Sequence, residues 1–435
     1  MQFERLLAER IAAHTGVKPK VTLESSVGEA EQRQMEEKLE RKIAPPVVKF
    51  EKKNTAPSIK VEGLDLTDKP VTIFHGKMFT PKNLTPLKDL GGEGGKCVIW
   101  GDVFFTEVKG NYRKIYTVSI TDYTGSINLK IRAQEGEDCS KWENIPKGTT
   151  LLVRGDCTYD KYEHDYIVYP YDVLFVERKK REDNAPEKRV ELHLHTKLSS
   201  MDAFCDPGGI VKLAHRMGHP AIAITDHGVM YGIKELADYC AGVNKKRKEE
   251  GLEPFKPILG CEMYVARRRK EDKVKEMGDN SGYHLIVLAK NYNGYKNLIK
   301  LVSNAWTDGY YYRPRTDRAD LERYHEDLIV CSACIAGEVP SKILHGDIEG
   351  AREACEWYHR VFGDDYYLEL QRHEVTDPTI LANREAFPLQ QKANKVLIEM
   401  AREYGIKLVC TNDCHFEDKE TAEAHDHLLC IATGK

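Results

Sequence analysis

The sequence predicts a multidomain protein in which an all-β barrel precedes a larger α/β domain. Three observations carry that expectation. Residues 96–177 hold five β-branched and aromatic runs separated by turn residues. From residue 190 onward, short apolar strand patterns alternate with helical ones. Between the two lies the charged run Arg178-Lys179-Lys180-Arg181-Glu182-Asp183-Asn184-Ala185-Pro186. The first texture is that of hairpins and the second that of repeated β-α units. A chain of 435 residues is also too long for one ordinary domain.

Residues 1–90 form an N-terminal region, read as short α/β or partly flexible. Gly28 to Lys42 is rich in Glu, Lys and Arg, the pattern of a solvated helix or arm, and Pro45-Pro46 ends it. A transitional segment follows, with strand-like Val71-Thr72-Ile73-Phe74. Gly91-Gly92-Glu93-Gly94-Gly95 then breaks the chain. In 91–178, strands are expected at 98–108, 112–122, 126–132, 149–159 and 165–176. Lys109-Gly110-Asn111, Tyr123-Thr124-Gly125 and Pro146-Lys147-Gly148 turn between them. Five short strands, with a helical patch near Trp142 after the third, match an OB-fold. Such barrels hold single strands by stacking bases on aromatics in a basic groove. Phe105, Tyr112, Arg113, Tyr116, Lys130 and Arg132 are therefore the candidate nucleic-acid contacts. Strand alternation assigns half of the aromatics to the core.

Composition narrows the class. Net charge is −4 with 31% charged residues, so any basic surface must be local. The N-terminus lacks the basic flank and apolar run of a signal peptide, and no apolar stretch approaches the roughly 18–20 residues of a membrane span. Both absences point to the cytoplasm and away from a membrane. The 12 cysteines are scattered, as free thiols in a cytosolic protein would be. Cys331-Ser332-Ala333-Cys334 lacks a second ligand pair at the spacing of a zinc knuckle.

After the 179–189 linker, strands are expected at 190–194, 221–225, 257–265, 284–288, 328–331, 366–370 and 408–411. Helical patterns at 208–217, 295–306 and 390–404 lie among them. Repeated β-α units argue for a parallel sheet, and seven strands suffice for a barrel. Metal-ligand residue types recur at the strand ends. His193 and His195 project from one face of an extended chain. Asp202 lies just beyond. Further on come Asp226-His227, Glu262, His284, Cys331-Ser332-Ala333-Cys334 and Asp413-Cys414-His415. Loops at the carboxyl ends of barrel strands converge on one rim, so such side chains can meet there.

Seven segments carry a resemblance: His193-Leu194-His195-Thr196, Ser200-Met201-Asp202-Ala203, Thr225-Asp226-His227-Gly228, Gly260-Cys261-Glu262, His284-Leu285-Ile286, Ser332-Ala333-Cys334 and Asn412-Asp413-Cys414-His415. Residues 190–435 resemble the PHP (polymerase and histidinol phosphatase) domain of bacterial replicative DNA polymerase III alpha subunits. The resemblance implies a distorted (β/α)7-type barrel. Its implied metal-binding and catalytic set is His193, His195, Asp202, His227, Glu262, His284, Cys334, Asp413 and His415. Up to three divalent metals of the zinc, manganese or iron kind would sit there, with Asp226 orienting a ligand from behind. The implied reaction is 3′→5′ removal of nucleotides, a proofreading exonuclease. Implied partners are single-stranded and primer-template DNA, and, through the full-length protein, the sliding clamp and clamp loader.

An OB-fold directly before the PHP domain resembles the PolC branch. Only Ala266 to Gly282 fills the point where PolC proteins carry an inserted exonuclease, and the segments around Ile329 to Glu338 and Tyr310 to Arg315 resemble the DnaE branch instead. Family members continue past the equivalent of Lys435 into the polymerase core, so the chain is expected to be a fragment without it. Two other readings compete: a free-standing phosphoesterase for small phosphates, and an inert scaffold.

Overall fold

The computed structural model describes residues 55–92, 94–110, 114–132, 139–376 and 380–434. The charged stretch Gly28 to Lys42, and the expected contacts Tyr112 and Arg113, lie outside them. The chain divides into two compact units, Met1–Lys180 and Arg181–Lys435, with the break inside the charged run.

In the first unit the strands are β1 (Thr55–Ala56), β2 (Val71–His75), β3 (Gly95–Lys109), β4 (Ile115–Thr121), β5 (Ser126–Arg132), β6 (Thr150–Asp160) and β7 (Asp165–Val176). Five of them close a barrel in the order β3-β4-β5-β7-β6, with β6 pairing back to β3. Strand β3 serves two neighbours. A bulge between Val103 and Phe105 bends it, so Gly95 to Asp102 pair with β6 and Asp102 to Lys109 with β4. Strands β5 and β7 run parallel, Asn128 opposite Ile167. Gly155 sits at a second bulge, where a Cβ would lie 2.6 Å from the Tyr169 carbonyl oxygen. Inward residues Ile99, Val118, Ile120, Leu129, Leu151, Val153, Val168 and Val173 fill the core. The 3-10 turn Ser140–Trp142 caps it with the Trp142 indole.

Residue 90 is not a boundary here. Strand β2 pairs with β7, and Ile59, Val61, Leu64, Val71 and Phe79 share a buried cluster with Leu152, Leu174 and Val176. The outer face of β6 and β7 is apolar, and the preceding segment covers it. Two expected contacts also need correction. Tyr116 is 3% exposed in the barrel core. Lys130 is buried against Asp160 at 2.7 Å and Glu163 at 2.6 Å. Neither can meet a nucleic acid from the surface.

The second unit contains β8 (Ala221–Ile224), β9 (Lys256–Ala266), β10 (Gly282–Ala289), β11 (Arg315–Thr316), β12 (Leu328–Cys331), β13 (Tyr366–Gln371) and β14 (Lys407–Thr411). Its helices are α1 (Pro207–Arg216), α2 (Ile233–Glu249), α3 (Tyr292–Thr307), α4 (Arg318–Arg323), α5 (Glu338–Leu344), α6 (Ile348–Phe362), α7 (Ala386–Tyr404) and α8 (Lys419–Thr433). Helix α1 starts where its residues dictate: the Asp206 carboxylate accepts from Gly209 N at 3.0 Å and Pro207 takes the first turn.

Strands β9, β10, β12, β13 and β14 are joined edge to edge, and β8 pairs with the start of β9. Residues 191–195 close the ring. Ala223 N donates to Glu191 O at 3.0 Å and Thr225 N to Leu194 O at 2.8 Å. On the other side His195 N donates to Cys414 O at 2.8 Å and Cys414 N to His193 O at 3.1 Å. The histidine segment is thus a seventh stave, irregular enough to form a single bridge, Leu194 to Cys414. The wholly parallel expectation fails at one strand, because β10 runs antiparallel to β9 and β12. Its first residues therefore lie at the rim where the other strands end. Alternation along it sends Leu285 and Val287 to the helix-covered core, and Ile286 and Leu288, on the face of His284, to the interior. Among the described residues no helix is long and apolar enough to cross a membrane.

Candidate metal centre

All nine expected ligands converge at the C-terminal rim of the second barrel. Glu262 is the hub. Its oxygens lie 3.3 Å from His193 Nε2, 3.2 Å from His195 Nε2, 2.8 Å from His227 Nδ1 and 3.0 Å from His284 Nδ1. Asp413 Oδ1 adds contacts of 3.1 Å to His193 Nε2 and 3.3 Å to His195 Nε2. Asp202 Oδ2 joins His227 Nε2 at 3.3 Å to His415 Nε2 at 3.1 Å. Cys334 Sγ stands 3.5 Å from His284 Nδ1. Three overlapping sets of donors follow: His195, Asp202, His227 and His415; His193, His195 and Glu262; His227, Glu262 and His284.

Left-handed backbone aims several of these groups. Met201 (φ 60°) precedes Asp202, Ala333 (φ 61°) precedes Cys334, and Asp413 itself has φ 54°. Non-glycine residues in that region cost about 1–3 kcal/mol each and gather at functional sites.

The donor set fits divalent cations. His193 Nε2, His195 Nε2, His227 Nδ1, Glu262 Oε1, Asp202 Oδ2 and Asp413 Oδ1 are buried and make no hydrogen bond, although they stand at ion-pair distance from one another. Buried polar atoms are ordinarily satisfied. A cluster of carboxylate oxygens and imidazole nitrogens left without hydrogen bonds and converging on shared points is what a cation would complete.

The charges agree. Burial opposes ionisation of Glu262, but His284, His227 and His193 hold its carboxyl well below the usual range. Asp413 is buried too and is held well down by His193 and His195. Burial works against the charged form of His227, yet Glu262 and Asp202 push its pKa up to about 10. His193 is likewise raised against burial by Asp413, Glu369 and Glu262. Burial pushes the Cys334 thiol well up, and Glu262 and Asp413 add to it. A nearby cation would favour its thiolate.

Behind these groups stand residues with no counterpart in the expected set. Glu369 Oε1 accepts from His193 Nδ1 at 2.7 Å and from the Thr411 hydroxyl. With Nδ1 carrying the proton, the Nε2 lone pair faces the centre. Glu191 accepts from the backbone N–H groups of His193 at 3.2 Å and Asn412 at 3.1 Å, which ties the histidine stave to the Asp413 loop. Asp226 lies in the position expected of it. It accepts from Thr196 N at 2.7 Å and from Ser199 Oγ at 3.0 Å, and Ser199 Oγ lies 3.2 Å from His195 Nδ1. Residue type alone did not mark Glu369, which shares one face of β13 with Tyr367 and Gln371.

In the first unit, Phe105 is exposed. Arg132 donates to the Tyr169 hydroxyl at 2.7 Å and lies over that ring.

Residues 191–373 match the PHP domain family. Over this region the chain is 40% identical across 245 residues to a DNA polymerase III subunit alpha of Borreliella burgdorferi, covering 56% of this chain and 19% of that protein. It is 38% identical across 247 residues to one of Treponema pallidum, covering 57% and 19%. The chain thus spans about a fifth of the length of these relatives. Among solved structures, an amidohydrolase from Chromobacterium violaceum aligns with a TM-score of 0.30 and 12% identity, over 54% of this chain and 89% of that one.

Proposed function

We propose that the PHP domain is a metal-dependent phosphodiesterase that removes nucleotides from 3′ ends, within a bacterial replicative DNA polymerase III alpha subunit. The carrying observation is the cluster of buried ligand atoms without hydrogen bonds, centred on Glu262. His193, His195, Asp202, His227, Glu262, His284, Cys334, Asp413 and His415 would hold up to three ions of zinc, manganese or iron. Clustered divalent ions supply hydroxide near neutral pH and neutralise charge on the phosphoryl oxygens. The chain's own part is positional. Glu369 fixes the His193 tautomer, Ser199 and Asp226 orient His195, and Glu191 keeps the staves bearing His193 and Asp413 in register.

The first unit is read as an OB-fold that binds single-stranded DNA. Its strand order, with β5 parallel to β7, supports this, as do exposed Phe104 and Phe105. The OB-before-PHP order favours the PolC branch, in a form without the inserted exonuclease. Polymerisation, primer-template binding, contact with the sliding clamp and clamp loader, and residence in the cytoplasm would belong to the longer protein.

The test compares the wild type with His193→Ala and Asp413→Asn for bound metal and for release of nucleotides from a 3′-labelled strand. Both substitutions should lower metal content and cut the rate by about a hundredfold or more, as lost charge stabilisation at a reacting centre does. Unchanged rate and metal in both would leave the inert-scaffold reading standing.

A further inference from the structure

One edge of the metal centre carries an aromatic surface that the candidate ligands do not use. Trp306 at the end of α3 is 41% exposed, Tyr310 48% and Tyr312 58%. Large apolar rings on a surface are informative when they cluster. Trp306 and Tyr310 are stacked, centroids 5.4 Å apart and planes 17° from parallel.

This surface adjoins the ligands directly. Trp306 Nε1 donates to the carbonyl of Gly228 at 2.8 Å, next in the chain to His227. The Tyr264 ring lies 5.5 Å from the His227 ring and nearly parallel to it, and Arg313 caps Tyr264 at 5.6 Å. Lys275, from the short basic insert after β9, lies 5.9 Å from the Tyr312 ring. From ligand to outer rim the sequence is imidazole, tyrosine, guanidinium, then exposed rings with a lysine alongside.

The loop that bears these rings is held firmly. Arg315, fully buried, donates to the carbonyls of Gly309 at 3.1 Å, Lys270 at 2.8 Å and Asp272 at 2.9 Å. A Cβ on Gly309 would fall 1.9 Å from the Arg315 carbonyl oxygen, so only glycine fits there. Tyr311 N donates to Arg313 O at 3.1 Å across Tyr312, whose φ is 61°. A bulky residue at positive φ is unfavourable, and here it leaves the Tyr312 ring exposed.

We propose that Trp306, Tyr310 and Tyr312, with Arg313 and Lys275, form a base-stacking platform that holds a single-stranded DNA end beside the metal centre. Exposed aromatics interleaved with cations are what single-strand binding needs, since every base offers a π-face and every link a phosphate. A small phosphate substrate would give this surface no use, and a purely apolar protein contact would give the cations none. The proposal rests on the phosphodiesterase reading and names its substrate class.

The experiment uses the full chain with manganese. The double variant Tyr310→Ala/Tyr312→Ala is compared with Tyr310→Phe/Tyr312→Phe and wild type. One readout is KM for a thymidine oligonucleotide, set against KM for bis(p-nitrophenyl) phosphate. The other is photocross-linking of a 5-iodouracil oligonucleotide, with the modified peptide identified by mass spectrometry. Loss of a stacking ring costs about 1–3 kcal/mol per base, or about 5- to 150-fold in binding. The alanine variant should raise the oligonucleotide KM at least about tenfold relative to the small diester, and phenylalanine should restore it. Cross-links should fall within 306–313. An unchanged KM ratio, or cross-links confined to the first unit, overturns the platform and leaves a protein partner as the user of this surface. Should the wild type cleave neither substrate, the phosphodiesterase reading fails, and the cross-link map alone then decides the platform.

Discussion

Glu369 shows how much of the centre depends on one residue that touches no candidate substrate position. It is buried, and the His193 ring stands 2.7 Å from its carboxylate. Replacing it by glutamine keeps the shape and removes the charge that steadies Nδ1–H. Partners of this kind typically change metal affinity about 10- to 100-fold. We therefore expect Glu369→Gln to weaken manganese binding by about that factor, measured by competition with a chromophoric chelator. The fold should be kept, because the amide can still accept from Thr411. Equal affinity in variant and wild type would remove Glu369 from the metal-holding machinery. Ligand residue types at the strand ends were legible in the sequence, and the resemblance to PHP domains supplied the set of nine that the structure brings to one rim. Glu369 and Glu191 were not, because their roles depend on strands 176 and 221 residues away.

At the scale of elements, strand patterns translated well wherever alternation was clear. Strands β5 and β12 and the full span of β7 fall where β-branched runs predict them. The direction of β10 was not legible, since alternation is the same for a strand run either way. The faces of Tyr116 and Lys130 were equally hidden: composition offered an aromatic and a cation but not the side of the barrel. The Lys130 pair makes its own prediction. Burial works against the Lys130 charge, but hydrogen bonds to Asp160 and Glu163 raise its pKa, and Lys130 lowers that of Asp160. A lowered Asp160 contributes stability above its unfolded value of about 4, lost as pH falls through the lower folded value. A raised Lys130 contributes below about 10.4, lost as pH climbs through its folded value. Asp160→Asn should therefore destabilise the first unit at pH 7 by about 1–3 kcal/mol, the low end reflecting the remaining Glu163 partner. The same variant should flatten the loss of stability below pH 4. Urea unfolding followed by tryptophan fluorescence at pH 7 and pH 3 measures both, and parallel pH profiles for variant and wild type would contradict it.

At the scale of the whole molecule, the second barrel and its candidate metal centre share one set of strand ends. Candidate ligands come from the 191–195 stave, from β9, from the start of β10, from the turn before α1, and from the segments that follow β8, β12 and β14. Cations held by those groups would tie nearly every stave together at one rim. They would also meet protons already there. With only protein groups in the centre, Glu262 and Asp202 hold His227 at about 10, and Asp413, Glu369 and Glu262 hold His193 above its ordinary value. Free histidine titrates near 6.5, so between about 6.5 and 10 the folded centre binds protons that the unfolded chain does not. A raised pKa stabilises fully below the unfolded value and is lost as pH rises through the folded one. Metal coordination needs the neutral imidazole, so loading must expel these protons. Manganese titrated into the full chain at pH 7 should then give apparent heats that differ between Tris and HEPES, by an amount that counts the protons released. Affinity should strengthen steadily from pH 6 to pH 9, and the barrel's melting temperature should rise with metal concentration as expected for a ligand bound only by the native state. Equal heats in the two buffers would mean that the histidines are neutral before metal arrives, and that the carboxylates around Glu262 do not govern their charge.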